Sequence, residues 1–257
     1  MANRVVIDPG HGGVDSGAVY GNRLEKNDNL NLALAVGKIL EGHGVEVLYS
    51  RTEDVYSSPI KRAQVANAEN ADLFIALHRN SSPLPNTYSG VVTLMYDEKG
   101  IKPIAAELIN RELEKVGFPD LGIDIRKDLP ILKRTNMPAL SVNVGFINTD
   151  SDNLLFDEQF EAIANGIAAG ILETLNMMNE TTENTHTYRV QVGLFGVLAN
   201  AVYLQYQLML LGYEPLIVSQ GDLYAVQIGE LPSLDQAVML EQELKRVGYD
   251  TLIVRYE

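Results

Sequence analysis

The chain is 257 residues long, 46% of them apolar, with a net charge of −14 and no cysteine. Such acidity excludes nucleic acid as a partner and electrostatic capture by anionic polymers or lipids, and folding without cysteine is independent of redox state. The length and apolar content allow a buried core in each of two domains.

Met1-Ala2-Asn3-Arg4-Val5 leads directly into an apolar strand, Arg4 to Ile7, so no signal peptide is expected. No later stretch reads as a membrane span. The strand runs into Asp8-Pro9-Gly10-His11-Gly12-Gly13, where proline stops a ladder and the glycines let backbone approach a ligand closely. His11 is one of only four histidines. Glu25 follows in Leu24-Glu25-Lys26-Asn27-Asp28, ahead of an amphipathic helix over Leu30 to Leu40 for which Asp28 or Asn29 is the expected N-cap. Taken alone, Glu25 is better explained by its fit to a helix dipole. His43, in Glu41-Gly42-His43-Gly44, suits a helix C-terminus for the same reason.

Val45 to Ser50 reads as a strand and Ser58 to Asn70 as a helix with Pro59 in its first turn. A second apolar strand, Ala71 to Leu77, ends at His78 and the polar Arg79-Asn80-Ser81-Ser82. Two imidazoles at strand ends and one carboxylate make a set able to hold a catalytic zinc while leaving a position open. Gly90 to Tyr96, Ile101 to Val116, Leu140 to Phe146 and a helix near Phe156 to Met177 continue the alternation of strand and helix. This pattern predicts an α/β fold with a mostly parallel sheet flanked by helices.

Asn179-Glu180-Thr181-Thr182-Glu183-Asn184-Thr185-His186 has no apolar residue and reads as a linker. Beyond it lies a repeat. Tyr188-Arg189-Val190-Gln191-Val192-Gly193 returns as Tyr224-Ala225-Val226-Gln227-Ile228-Gly229, and Gly212-Tyr213 returns as Gly248-Tyr249. Each copy reads as strand, helix, strand, which predicts a small α+β ferredoxin-like domain with a four-stranded antiparallel sheet. The domains are therefore expected at 1–178 and 187–257, with 179–186 between them.

The first domain resembles the zinc-dependent N-acetylmuramoyl-L-alanine amidases of the type 3 family. The resemblance is carried by Asp8-Pro9-Gly10-His11-Gly12-Gly13, Leu24-Glu25-Lys26, Ser50-Arg51-Thr52, Arg62, Ala66-Asn67, Asp72 to Ser81, Leu132 to Ala139 and Gly145-Phe146-Ile147. It implies that His11, Glu25 and His78 hold zinc, and that the substrate is the peptidoglycan amide between muramic acid and L-alanine. Members similar to this chain carry a proton-handling glutamate two residues before the Gly-Phe pair, where this chain has Asn143. An amide hydrogen-bonds but takes up no proton near neutral pH. Three accounts fit: a substitution that traps substrate, another acid such as Asp150 or Asp152 reaching the site, or a domain that binds wall without cutting it. Arg79, Asn80 and Arg126 are candidate substrate contacts; Arg79 and Asn80 read equally well as loop residues, and surface charge accounts better for Arg126.

The repeat is similar to the sporulation-related repeat (SPOR) domain, which binds glycan strands. That resemblance makes Gln191 and Gln227 candidate glycan contacts, with sheet packing as the alternative. The whole layout resembles mother-cell-lysis amidases and phage endolysins. It implies a wall hydrolase made in the cytoplasm that meets peptidoglycan once the membrane fails.

Overall fold

The computed structural model describes residues 3–183 and 187–256. They form two compact units that divide between Met177 and Met178. In chain order the first unit contains β1 (Arg4–Pro9), β2 (Val19–Tyr20), β3 (Arg23–Leu24), α1 (Glu25–Gly42), β4 (Glu46–Tyr49), α2 (Pro59–Ala68) and β5 (Leu73–Asn80). It continues with β6 (Val91–Met95), α3 (Lys102–Val116), β7 (Asp120–Ile125), α4 (Pro130–Arg134), β8 (Ala139–Phe146), α5 (Asp150–Glu158) and all but the last turns of α6 (Phe160–Glu183).

A six-stranded sheet runs β4-β1-β5-β8-β6-β7. Every neighbouring pair is parallel except β6 with β8, so the sheet is mixed, with the parallel part that the alternation of elements predicts. Strands β1, β5 and β8 are almost wholly buried because helices cover both faces, which is why they read as continuous apolar runs rather than alternating ones. On one face α1 buries Leu32, Ala33, Val36 and Leu40, spaced to lie along one side of the helix. On the other, Ala63 and Ala66 of α2 and Ile131 and Leu132 of α4 pack against Val6, Phe74 and Ala76.

Helix α1 begins earlier than its apolar periodicity indicates, and neither Asp28 nor Asn29 caps it. Leu24 is the N-cap and makes no side-chain cap hydrogen bond. The first amides are satisfied by the glycine-rich loop instead: Glu25 N–H donates to Ala18 O (3.0 Å) and Lys26 N–H to Ser16 O (3.1 Å). The C-terminal helical region is two helices, α5 and α6. Helix α6 continues to Glu183, so residues 179–183 of the expected linker are helical. Extending a formed helix costs far less than starting one, so a polar tail can follow an apolar-faced helix. Residues 184–186, His186 among them, lie outside the described residues.

The second unit contains β9 (Thr187–Phe195), α7 (Leu198–Leu210), β10 (Pro215–Gln220), β11 (Leu223–Leu231), α8 (Leu234–Arg246) and β12 (Leu252–Tyr256). Its antiparallel sheet has the order β10-β11-β9-β12, the ferredoxin-like arrangement expected from the repeat. Val190, Val192, Val226 and Ile228 face Ala201 and Leu208 of α7 and Leu244 of α8, so both helices cover the same side.

Candidate metal centre

Strands β1 and β5 pair in parallel with Pro9 opposite Leu77, so the chain leaves both at one end of the sheet. His11 follows the first and His78 ends the apolar run of the second. Gly10 lets them approach: a Cβ at that position would lie 2.1 Å from Cε1 of His78. His11 has φ +63°, and the turn after it is closed by reciprocal hydrogen bonds between Gly12 and Asp15 (2.9 and 3.1 Å).

Glu25, at the first position of α1, lies between the two rings. Its Oε2 is 3.2 Å from His11 Nε2 and its Oε1 is 3.0 Å from His78 Nδ1. The rings stand nearly perpendicular, 87°, with centroids 5.1 Å apart. One nitrogen from each ring and one carboxylate oxygen all lie within 4.8 Å of one another. The carboxylate is further held by backbone: Ala18 N–H donates to Oε2 (2.8 Å) and Arg79 N–H to Oε1 (3.1 Å). Asn29 Nδ2 donates to Oε1 (3.3 Å) and to Gly10 O (3.2 Å). Burial alone would raise the Glu25 carboxyl, but hydrogen bonds and charge from His11 and His78 outweigh it and hold the group well below the usual carboxylate range. A dehydrated carboxylate that stays charged between two imidazoles is the donor chemistry a divalent cation requires, and three donors leave a position for water or substrate. The residues fit a metal.

Asp15 Oδ2 lies 2.9 Å from His11 Nδ1, and Asp15 Oδ1 accepts from Gly17 N–H (3.1 Å). A carboxylate acceptor there favours the proton on Nδ1 and leaves the Nε2 lone pair directed at Glu25 and the cation position. Asp15→Asn is expected to weaken metal binding by about 10–100-fold while the fold persists. Competition titration against a chromophoric chelator measures it.

A cavity of about 220 Å³ includes His11, Asp15, Arg62, His78, Arg126 and Asn143 in its wall. Asn143 pairs in register with His78, so the two side chains share a face of the sheet. Asn143 is 9% exposed, and the one hydrogen bond of its side chain among the described residues is long, from Nδ2 to Val92 O at 3.4 Å. Neither alternative acid reaches this cavity. Asp152 is buried and accepts from Gly90 N–H (3.1 Å) and Phe146 N–H (2.7 Å), while Asp150 accepts from Asn86 Nδ2 (3.0 Å).

Of the candidate substrate contacts, the structure brings only Arg126 to the cavity, where it forms a bidentate pair with Asp128 (2.9 and 2.7 Å). Arg79 points away. Its buried guanidinium donates to Asp28 (2.6 Å) and Asn153 (2.9 Å) and lies 4.2 Å from the Phe156 ring centroid. Burial, opposed by Asp28, brings that guanidinium down to about 10, so it remains charged at neutral pH. Its part is to tie α1 and α5 behind the site, and only its backbone N–H touches Glu25. Asn80 turns its Oδ1 to Ser81 N–H (2.8 Å) and is not in the cavity wall. In the second unit, Gln227 is 0% exposed: it accepts from Tyr256 OH (2.6 Å) and donates to the half-buried Gln191 (3.3 Å). Gln227 is therefore a buried polar link rather than a displayed sugar contact.

Sequence patterns leave Asp15 aside and mark Asn29 only as a candidate helix cap. Each stands four residues after a ligand candidate, a spacing that on α1 brings Asn29 back to the face of Glu25.

Fold and donor set together define a metal-centred α/β enzyme domain followed by a βαββαβ module. Residues 5–173 match the Amidase_3 family, N-acetylmuramoyl-L-alanine amidase, and residues 184–255 match the SPOR domain. The chain belongs to the N-acetylmuramoyl-L-alanine amidase family, which is metal-dependent, and carries a SPOR domain. It is 34% identical over 221 residues to the sporulation-specific N-acetylmuramoyl-L-alanine amidase of Bacillus subtilis (strain 168), covering 84% of each chain. To the endolysin of Bacillus phage SPP1 it is 36% identical over 188 residues, covering 70% of this chain and 69% of that one. The solved catalytic domain of CwlV, an N-acetylmuramoyl-L-alanine amidase from Bacillus (Paenibacillus) polymyxa var. colistinus, has a TM-score of 0.63 at 33% identity, covering 68% of this chain and 98% of that one. The amidase from Clostridium difficile 630 gives 0.64 at 32%, covering 68% and 97%. Among the described residues no helix is long and apolar enough to cross a membrane.

Proposed function

We propose that this chain is a zinc-dependent peptidoglycan hydrolase that cleaves the amide between N-acetylmuramic acid and L-alanine during cell lysis, as a mother-cell-lysis amidase or a phage endolysin. Residues 1–178 act as the hydrolase, 179–186 connect, and 187–257 hold the enzyme on wall glycan. The observation that carries the reading is the convergence of His11, Glu25 and His78, whose two rings line one cavity with Asn143.

When bound, zinc supplies Lewis acidity at the scissile carbonyl and acidifies the attacking water. His11 and His78 hold it through ring nitrogens and Glu25 through a carboxylate oxygen, with Asp15 and Asn29 fixing the orientation of their partners. Asn143 hydrogen-bonds and orients water but has no capacity to pass a proton to the leaving amine. Arg126, on the far side of Asn143, offers charge to a stem-peptide carboxylate. The chain works after the membrane has failed, when enzyme and wall meet.

A second reading is favoured by Asn143 alone: a wall-binding protein whose chemistry is reduced. Purified walls incubated with the zinc-loaded chain separate the two. Release of free alanine amino groups is expected; co-sedimentation with walls without release would establish the binding reading.

A further inference from the structure

Three large apolar side chains next to the metal loop are exposed: Val14 at 93%, Val55 at 49% and Tyr56 at 55%. Val14 sits within the Gly12 to Asp15 turn, between the backbone that presents His11 and the carboxylate that orients it. Tyr56 presses on the same turn, since a Cβ on Gly13 would lie 2.7 Å from Tyr56 N and 3.1 Å from Tyr56 Cβ. The segment is anchored rather than loose. Gly13 N–H donates to Asp54 Oδ1 (2.7 Å), Lys26 Nζ bridges Asp54 Oδ2 (2.6 Å) and Gly13 O (2.9 Å), and Arg51 donates to Glu53 O (3.0 Å) and Gly10 O (3.0 Å). These contacts fix the backbone of both segments, and the one ion pair among them joins Lys26 to Asp54.

Sheet order decides what can lie on it. Strand β4, which leads to Val55 and Tyr56, is at one edge, and β7, which leads to Arg126, is at the other, with β1 and β5 between them. The metal donors thus stand between a flank with exposed apolar and aromatic side chains and one that carries Arg126 in its pair with Asp128. The substrate of the proposed reaction has the same asymmetry. On one side of the scissile amide a short lactyl ether leads to a pyranose ring, with an apolar C–H face; on the other runs a peptide bearing carboxylates.

We propose that Val14, Val55 and Tyr56 form the subsite for the muramyl sugar ring, with Tyr56 stacking on its C–H face, so that glycan lies on the β4 side of the metal and stem peptide on the Arg126 side. This assignment rests on the amidase reading above. The lactyl link is too short to carry the ring far from the donors, and Gly12 and Gly13, next to His11, lie directly against Val55 and Tyr56.

The test compares binding of N-acetylmuramoyl-L-alanyl-D-isoglutamine and of the same lactoyl-dipeptide without its sugar to the zinc-loaded full chain, by calorimetry. The chain is expected to prefer the muramyl compound by about tenfold, the size of one aromatic stacking contact. In Tyr56→Ala the two ligands converge in affinity, and in Tyr56→Phe, which retains the ring face, the preference remains. Equal binding of both ligands by the original chain, or a preference that survives Tyr56→Ala, overturns the subsite while leaving the amidase reading standing. Failure of the chain to bind or cut either ligand overturns both, and because Tyr56 is exposed, a melting curve unchanged by the substitutions excludes misfolding as the cause of a lost preference.

Discussion

Asn143→Glu is expected to raise the release of alanine amino groups from purified walls by about 10²–10⁴-fold, the usual contribution of a positioned general acid–base group. The geometry favours a gain. Asn143 shares a sheet face with His78, in the wall of the metal cavity, and its amide gives up only one long hydrogen bond to Val92 O when replaced. The extra methylene carries a carboxylate further into a cavity of about 220 Å³ whose wall includes both His11 and His78. Asn143→Gln has the added length without the proton capacity and is expected to show no comparable gain, so the pair separates reach from proton transfer. A glutamate variant with unchanged turnover and unchanged metal content would mean that position 143 never carries the proton.

The second large effect concerns Glu25. Glu25→Gln is expected to abolish both stoichiometric zinc and turnover, and also to weaken the metal-free fold by about 1–3 kcal/mol. The two consequences have different origins. Metal is lost because a neutral amide replaces the one charged donor between two rings. Stability is lost because each carboxylate oxygen accepts a backbone N–H, from Ala18 and from Arg79, whereas an amide has a single acceptor oxygen and must turn its NH₂ toward the other donor. Denaturant unfolding of both proteins in excess chelator isolates the second term, since neither then gains stability from bound metal. Equal midpoints under those conditions would show that the backbone donors find other partners.

Much of this site is legible in the sequence because it depends on local rules. Apolar runs stopped by Pro9 and by Arg79-Asn80 place His11 and His78 at strand ends, and the parallel pairing of those strands brings the ends together. Arg79 shows a rule available but not applied: on a strand successive side chains alternate, so once His78 faces the cavity Arg79 must face the opposite layer. Gln227 is different. Alternation with Val226 and Ile228 puts it on the sheet face away from the helices, but its burial comes with Tyr256, a residue on another strand that no local pattern connects to it. The early start of α1 and the late end of α6 escape the usual cap signals for different reasons: loop carbonyls satisfy the first amides of α1, and simple propagation extends α6.

The bare α-carbon of Gly10 has a consequence for how this protein can vary. Because the imidazole of His78 occupies the space a methyl group would need, even alanine at that position would drive a ligand out of place, and the damage would appear at a residue remote in sequence. Random mutagenesis of the turn, scored by ion uptake, should therefore return a stark map: silence at the outward-facing valine, whose proposed contact is with sugar, and collapse at the position that looks most innocuous.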